Sequence, residues 1–393
     1  MKSPVARDLS GLQICSRCIY DETIPKITFD EEGICNYCHM IEGLQKDFQT
    51  GTPEGEKRLE EIFDEIRKAG KGRKYDCIVG VSGGTDSSYM LHLACERGLR
   101  PLAVHYDNTW NSAVSTENIR KVTKGLNVDL ITHVVDNREI DDITLSCLKA
   151  SIPELDGPTD IAFPQVLYSA AAKYGIKYTL EGHSFLEEGV SPLGCTYSDG
   201  MYYRGIHKKF GKIPMKTYPN MSFFRFMKWT LIYRIKKIRP LWYISYTKAD
   251  AKKLLSEKYD WRDYGGHHLE NRLTAFNHSY YYPIKFGIDM RNNTLSALAR
   301  NGSLSRSEAL NQYAQPPYLE DQALEYFLKR LGLSEDEFQS LLDLPKKYFR
   351  DYKTYKRRFE VLRPLFYLMA QAELVPTSFY LKYCSKSEIQ THQ

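Results

Sequence analysis

The sequence predicts an α/β protein: a doubly wound parallel sheet, with a small cysteine-rich module before it and a mostly helical region after it. Between residues 75 and 181, short apolar runs alternate with amphipathic stretches, the pattern of strand–helix–strand units. Two C-x-x-C pairs precede this stretch. Two S-x-x-E capping boxes follow it, at Ser305 and Ser334, and such boxes open helices.

The composition is that of a globular protein with a substantial core. The 393 residues are 42% hydrophobic and 26% charged, with a net charge of +5. No apolar run is long enough to cross a membrane, and the first residues lack the apolar stretch of a signal peptide. We therefore expect a cytoplasmic protein. In that reducing compartment, its nine cysteines favour metal binding or catalysis over disulfides.

The first two cysteine pairs, Cys15 with Cys18 and Cys35 with Cys38, are separated by sixteen residues. Each pair places two thiolates near one ion, so together they predict a tetrahedral four-cysteine zinc site of the ribbon or knuckle type. A module this small buries too little apolar surface to fold alone, and a structural Zn²⁺ would supply the missing energy. A catalytic redox pair is the alternative, which the second pair disfavours.

The central region carries the predicted sheet. An amphipathic helix and a glycine-containing linker lead into it. Ligands of such sheets bind at the carboxyl ends of the strands, so the residues that follow each strand are the first candidates for a site. The predicted strands cover 76–81, 101–106, 129–135 and 176–181, and the predicted helices cover 87–97, 114–125 and 163–174.

The stretch Gly80–Ser88, GVSGGTDSS, joins the first strand to the first helix of this region. Its glycines let the backbone approach an anion, and the helix N-terminus offers free N–H groups and a positive dipole end. Three serines, Ser82, Ser87 and Ser88, add hydroxyl donors, and Asp86 could hold Mg²⁺ against bound phosphates. The lysine of the Walker pattern G-x-x-x-x-G-K-[ST] is absent from this stretch.

Residues 201–240 contain eleven Lys or Arg, nine aromatic residues and no Asp or Glu. Such a segment suits an anionic partner: a polyanion, an anionic sugar nucleotide or a membrane surface. A partly buried basic insertion with core aromatics is the alternative.

A second block runs from Tyr264 to Arg291. Gly265 and Gly266 precede a His-x-Glu pair, His268 and Glu270, which suggests a loop held close to a ligand. Further on, Lys285 and Arg291 could neutralise a leaving pyrophosphate, or could be surface cations.

The string SGGTDSS resembles the S-G-G-x-D-S signature of the PP-loop ATP pyrophosphatases, which cleave ATP to AMP and pyrophosphate to adenylylate an oxygen. With both cysteine pairs, DNTWNS at 107–112, EGHS at 181–184, the 264–291 block and NGSLSRSEAL at 301–310, the chain resembles the N-acetyl sugar amidotransferases of lipopolysaccharide O-antigen and flagellin-glycan synthesis. The resemblance covers roughly 10–345. Asn108–Thr109 and His267 depart from the usual pattern, which affects substrate identity more than reaction class.

The resemblance implies ATP with Mg²⁺ at the loop, where the ATP-binding residues are Ser82, Gly83, Gly84, Thr85, Asp86, Ser87, Ser88 and Asp107. It implies catalytic roles for Asp86, His183, Lys285 and Arg291, and substrate binding by Glu181, His268 and Glu270. Asp107 could instead belong to a plain strand-end turn, and His183 could be a satisfied turn histidine.

The implied reaction transfers AMP to the acetamido oxygen of an anionic N-acetyl sugar, free or nucleotide-linked, and ammonia then displaces AMP to give an acetamidino sugar. The chain starts Met1–Lys2 and lacks the N-terminal cysteine nucleophile of one glutaminase type. We therefore expect a separate glutaminase subunit, with a possible ammonia-channelling partner, and no nucleic acid.

Two alternatives stay open. A tRNA-thiolating enzyme would share the cysteine module and the loop, but would need Cys147 or Cys195 as a reactive thiol. A non-catalytic scaffold is disfavoured because the loop keeps Asp86 and its serines. The predicted units are 1–45 (zinc-ribbon-like module), 46–74 (helical linker), 75–200 (PP-loop core), 201–262 (basic aromatic insertion) and 263–393 (site-completing loop and helical region).

Overall fold

The computed structural model describes residues 4–192, 196–265, 269–320 and 322–385. Its centre is a five-stranded, entirely parallel sheet with the strand order β3-β2-β1-β4-β5. The strands are β1 Cys77–Gly80, β2 Pro101–Asp107, β3 Leu130–Val134, β4 Tyr178–Leu180 and β5 Lys236–Ile238. The first four lie within the ranges predicted from the sequence or one residue beyond them.

Both faces of the sheet are covered, as a doubly wound fold requires. Along β1, Ile78 contributes to one apolar core, whereas Cys77 and Val79 contribute to the core on the opposite face, because successive side chains of a strand point to opposite sides. The core that contains Ile78 also includes residues of three helices that follow β3, and the other core includes residues of helices before and after β1 and of one helix after β5. The predicted fold class is confirmed.

Eighteen α-helices are described. They are α1 Asn36–Phe48, α2 Pro53–Ala69, α3 Thr85–Glu96, α4 Ala113–Gly125, α5 Asn137–Lys149, α6 Gly157–Tyr174, α7 Phe185–Glu188, α8 Gly200–Phe210, α9 Phe223–Met227, α10 Lys248–Tyr259, α11 Arg272–Phe276, α12 Arg291–Asn301, α13 Arg306–Ala314, α14 Ala323–Leu331, α15 Glu335–Leu342, α16 Lys356–Val361, α17 Arg363–Gln371 and α18 Thr377–Phe379. π-Helical turns cover Lys228–Ile232, Asn277–Phe286 and Tyr380–Cys384. In the described chain, no helix is both long and apolar enough to cross a membrane.

The basic segment 201–240 is built into the sheet domain. Its last part forms β5, which pairs with β4. The carboxylate of Glu139 accepts hydrogen bonds from the backbone N–H groups of Thr217 and Tyr218, and that of Asp142 accepts from Lys212 and Ile213. Tyr202, Tyr203 and Tyr218 are core residues. The five domain boundaries stay a prediction.

The cysteine module docks on the helical region. Ile19 is buried in one small core with Leu295 of α12 and Tyr313 of α13. The Arg306 guanidinium at the start of α13 donates to the carbonyl oxygens of Cys15 and Cys18, at 2.9 and 3.0 Å. The predicted helix starts are also found: the hydroxyls of Ser305 and Ser334 each accept from a backbone N–H three residues later.

Candidate active site

The loop 80–88 lies at the carboxyl end of β1 and leads directly into α3. Gly83 has a φ of +82°, and a Cβ there would lie 2.1 Å from the carbonyl oxygen of Ser115, so this position requires glycine. The Ser82 N–H donates to the Ser87 hydroxyl at 3.2 Å, and the Gly84 N–H donates to the Ser82 hydroxyl at 3.3 Å. The loop therefore holds its serine hydroxyls at the N-terminus of a helix, as an anion cradle requires.

Two buried side chains hold the loop in place from the protein interior. The Trp261 indole donates to the Gly83 carbonyl at 3.1 Å, and the Asn118 amide donates to the same oxygen at 3.3 Å. Asn118 also exchanges two hydrogen bonds with the backbone of Arg262, at 2.8 and 2.9 Å. The Gly83 carbonyl thus faces the interior, and the conformation of the turn is set by contacts outside the motif.

Asp86, in the first turn of α3, is the charged centre of the loop. One carboxylate oxygen accepts from the Tyr246 hydroxyl at 2.5 Å, and the other lies 3.0 Å from the Lys248 ammonium. Lys248 also pairs with Glu188 at 3.3 Å. Burial and the Glu188 carboxylate raise the pKa of Asp86 to about 6, despite Lys248 and Tyr246, so part of its charge is not compensated by the protein.

Sequence reasoning missed Tyr246 and Lys248. They reach Asp86 from about 160 positions later in the chain, where Thr247 caps α10 by accepting from the Asp250 N–H. A threonine before an amphipathic helix predicts only a helix start. No local pattern connects that start with the loop.

Residues that follow β2 contact residues of the 264–291 block at the carboxyl edge of the sheet, where the loop also lies. The Ser112 N–H donates to the Glu270 carbonyl at 2.9 Å, and the Asn271 amide donates to Asn108 at 2.8 Å. A Cβ on Gly84 would lie 3.1 Å from the Tyr264 hydroxyl and 3.3 Å from a Glu270 carboxylate oxygen, so both side chains border the loop. His268 lies outside the described residues.

Asp107 is the last residue of β2, and its side chain stabilises the turn that follows. Its carboxylate accepts from the Thr109 N–H at 2.7 Å and from the Asn111 amide at 3.0 Å. These contacts account for the turn itself. Contact with a nucleotide stays a prediction.

The segment after β4 touches the loop through its glycine. A Cβ on Gly182 would lie 2.6 Å from the Asp86 carbonyl oxygen. His183 Nδ1 accepts from the Trp242 indole at 3.2 Å, and burial lowers the pKa of His183, which favours the neutral imidazole. Burial alone would raise the pKa of Glu181, but Lys237 and Arg239 of the β5 segment, at 3.1 and 2.7 Å, hold it below its usual value. Both side chains therefore have structural partners beside the site.

In the described chain, Lys285 and Arg291 form hydrogen bonds and ion pairs with residues outside the loop, and their role with pyrophosphate stays a prediction. The Lys285 ammonium donates to three carbonyl oxygens at the end of α15, at 2.7 to 3.0 Å. The Arg291 guanidinium pairs with Asp289 and donates to carbonyls at the end of α13. Helix C-termini leave carbonyls unsatisfied and attract cations, which explains both positions.

The four module cysteines converge. Their sulfur atoms all lie within 4.8 Å of one another, and three of the pairs are 3.7 or 3.8 Å apart. An ion with four tetrahedral bonds of about 2.3 Å separates its sulfurs by about 3.8 Å, so the spacing fits one metal ion. Backbone N–H groups of Arg17, Tyr20 and Cys35 point at these sulfurs, as is usual around thiolates. The predicted cluster is confirmed as a set of residues that could hold a metal.

A thiolation mechanism would need either Cys147 or Cys195 as its reactive thiol. Cys147 lies in α5 and is buried in the core, where burial raises the pKa of its thiol. A thiol in that state is a poor nucleophile. Cys195 lies outside the described residues.

The chain is therefore an α/β protein with a doubly wound parallel sheet, whose central strand β1 leads into the S-G-G-T-D-S loop, and with an N-terminal four-cysteine module. Residues 270–365 match the family model "LPS biosynthesis protein WbpG-like, C-terminal domain", which agrees with the resemblance drawn from the sequence. An uncharacterised protein of Methanocaldococcus jannaschii is 26% identical over 306 residues, which are 77% of this chain and 93% of that protein.

Two solved structures are similar over most of this chain. NMN synthetase from Francisella tularensis is 14% identical, with 72% of this chain and 95% of that chain covered and a TM-score of 0.34. NH3-dependent NAD synthetase from Campylobacter jejuni is also 14% identical, with 74% and 98% covered and a TM-score of 0.31.

Proposed function

We propose that this chain is an ATP-dependent amidotransferase that converts the acetamido group of an anionic N-acetyl sugar into an acetamidino group for surface polysaccharide or glycan synthesis. The observation that carries the proposal is the S-G-G-x-D-S loop, held at the sheet's carboxyl edge with the Asp86 carboxylate at its centre. The match of residues 270–365 to a lipopolysaccharide biosynthesis domain supports the biosynthetic setting.

The loop would bind the phosphates of ATP. The backbone N–H groups at the start of α3 and the hydroxyls of Ser82, Ser87 and Ser88 supply donors, and Gly83 and Gly84 allow close approach. Lys248 is the cation that contacts the loop and would stabilise charge on departing pyrophosphate. Asp107 and Glu181 at the neighbouring strand ends, and Glu270 of the 264–291 block beside the loop, are proposed nucleotide- and substrate-side groups.

The Asp86 carboxylate fits a Mg²⁺ ion. Its raised pKa shows a buried carboxylate whose charge is incompletely balanced, and a divalent cation would balance it. A Mg²⁺ ion bound with ATP would neutralise phosphate charge during the transfer.

The reaction needs an activated oxygen because an amide oxygen cannot leave as oxide. The acetamido oxygen attacks the α-phosphorus of ATP, the bond to pyrophosphate breaks, and an O-adenylyl imidate forms. Ammonia then adds to the imidate carbon and AMP leaves with the oxygen, which yields the amidine. His183 stays a proposed catalytic residue; its acceptor nitrogen Nδ1 takes the Trp242 N–H, so the proton released by the attacking ammonia would pass to solvent.

We propose that the four-cysteine cluster holds one structural Zn²⁺. Four thiolates at tetrahedral spacing favour this ion. Ammonia would come from a separate glutaminase subunit, with a possible channelling partner, and the reaction would take place in the cytoplasm. A tRNA-thiolating function is the competing proposal, and the buried Cys147 leaves Cys195 as its candidate thiol.

The test supplies ATP, Mg²⁺, ammonium and an anionic N-acetyl sugar, and analyses nucleotides and sugars by mass spectrometry. We expect AMP, pyrophosphate and a sugar in which NH has replaced the acetamido oxygen. Glutamine should replace ammonium only when a partner glutaminase is present. Lys248→Met should lose most AMP formation, whereas Lys253→Met, an exposed position on the same helix, should retain it.

Three outcomes would contradict the proposal. The products could be ADP and orthophosphate, only tRNA could stimulate AMP release, or Cys195→Ala could abolish activity. The last two would favour the thiolating enzyme.

A further inference from the structure

The short helix α9 and the π-helical turn that follows it, residues 223–232, expose an apolar stripe. Phe224 is 77% exposed, Ile232 is 72% exposed and Leu231 is 39% exposed. The other side of the same segment is packed: Phe223 contacts Phe359 with ring centroids 5.7 Å apart. Large apolar side chains therefore cover both sides of this segment, although only one side meets the protein core.

Exposed cations lie between these apolar residues. Arg225 and Lys228 share the outer side with Phe224 and Leu231, and Arg234 follows the turn. We call the six residues Phe224, Arg225, Lys228, Leu231, Ile232 and Arg234 the basic–apolar face. Their spacing in the helical part places them on one side of the segment.

Most lysines and arginines of this region have no carboxylate partner. In the described chain, the Lys and Arg ion pairs of segment 201–240 are made by its last cations, Lys236, Lys237 and Arg239, and His207 contacts Asp142. The other eight cations are exposed and form no ion pair with a described residue. They are Arg204, Lys208, Lys209, Lys212, Lys216, Arg225, Lys228 and Arg234.

The adjoining helices extend the apolar surface. α9 packs on α16 and α17, where Phe226 and Phe366 stack with centroids 6.4 Å apart. These helices expose Val361 (71%) and Leu368 (64%). A single exposed apolar residue on a soluble protein needs no explanation, but several on packed neighbouring helices, mixed with unpaired cations, indicate an interaction surface.

We propose that the basic–apolar face binds the surface of an anionic membrane, with Phe224 and Ile232 entering the boundary between headgroups and acyl chains. The distribution of positive charge over this face favours a membrane over the other anionic partners. A diffuse anionic surface complements many separate cations at once, and the interleaved aromatic and aliphatic side chains match the apolar layer beneath it. The proposed binding places this face in the interfacial layer of the membrane.

The experiment is flotation of the full chain with lipid vesicles. We expect binding to vesicles of phosphatidylcholine mixed with phosphatidylglycerol, and little binding to phosphatidylcholine alone. Charge reversal by Arg225→Glu with Lys228→Glu should lower the partition coefficient about tenfold or more and weaken its dependence on salt. Phe224→Ser with Ile232→Ser should lower it to a similar extent and leave the salt dependence in place.

Matched controls come from exposed residues elsewhere. Val134→Ser changes an apolar side chain that is 56% exposed on β3, and Lys124→Glu reverses an exposed charge on α4. Both controls should bind vesicles like the unchanged chain. The six substituted positions, four in the face and two in the controls, are all exposed. The variants should therefore fold, and circular dichroism checks this.

Several results would overturn the proposal. Equal binding to neutral and anionic vesicles would remove the role of charge, and equal loss in the control variants would remove the role of this face. Binding to heparin or RNA without binding to vesicles would assign the cations to a polyanion. Self-association that the Phe224→Ser and Ile232→Ser changes abolish, without vesicle binding, would assign the face to a second copy of the chain.

Discussion

Asp86→Asn tests whether the loop carboxylate is held partly protonated near neutral pH. In the folded protein, burial and Glu188 raise the pKa of Asp86 to about 6, compared with about 3.9 for an unperturbed aspartate. The folded state therefore binds this proton more tightly than the unfolded state does. Asp86 consequently lowers the free energy of unfolding as the pH rises from about 4 through about 6.

The size of the effect follows from the two pKa values. Their separation corresponds to about 3 kcal/mol at 1.36 kcal/mol per pKa unit. The side chain keeps 19% of its exposure, so we expect about 2 kcal/mol after solvent screening. Asparagine keeps an oxygen that can accept from the Tyr246 hydroxyl, and it does not titrate.

The assay is urea unfolding of both proteins at a series of pH values from 4 to 7.5. The difference between their unfolding free energies should change by about 2 kcal/mol in favour of the variant as the pH rises. Comparing differences cancels the contributions of titrating groups that do not interact with Asp86.

Asp263→Asn is the control with the opposite sign. Burial alone would raise the pKa of Asp263, but its pairing with Lys252 at 2.7 Å lowers it, so its stabilising contribution is lost only as the pH falls below about 4. Above this pH, the unfolding free energy of Asp263→Asn should therefore change with pH in parallel with that of the unchanged chain. Parallel profiles for Asp86→Asn as well would refute the reasoning, because they would mean that neither burial nor Glu188 perturbs Asp86.

Two further predictions concern the metal module and the loop backbone. The purified chain should contain one zinc ion by elemental analysis, and Cys35→Ser should lose it and become sensitive to proteolysis within residues 1–45; a well-folded, metal-free chain would contradict this. Gly83→Ala should destabilise the chain by about 2 kcal/mol or more and abolish AMP formation, because it combines a left-handed φ with a 2.1 Å contact to Ser115. Gly72→Ala, with a φ of +77° and open space around its Cβ, should show only the smaller backbone cost and full activity.

The parts of the fold that follow from local pattern were predictable. β1, β2 and β4 are short apolar runs bounded by turn residues, and each is found where the sequence places it. The four cysteines also follow from spacing alone, since each C-x-x-C pair is a local turn. β5 was missed because Lys236–Ile238 is three residues long and carries two lysines, which no strand pattern distinguishes from a loop.

The candidate site was predictable only where its residues are consecutive. The string SGGTDSS can be recognised in the sequence. The cation that contacts its Asp86 is Lys248, which belongs to a different helix, α10. The helix-end partners of Lys285 and Arg291 could not be predicted, because a cation near a glycine-rich block looks the same in sequence whether it meets a ligand or a helix end. The deciding information is the position of α13 and α15, whose last carbonyls take up these cations.

The side-chain charges around the loop limit the ways in which it could hold a nucleotide. Asp86, Glu188 and Lys248 together carry two carboxylates and one ammonium group, so the side chains at the start of α3 do not by themselves favour a polyphosphate. The favourable potential must then come from backbone N–H groups, from the helix dipole and from a cation that arrives with the nucleotide. A metal ion would relieve the raised pKa of Asp86 and screen the phosphates from Glu188 in the same step. Under the proposed function, such a metal ion would take the part that the lysine has in the Walker pattern.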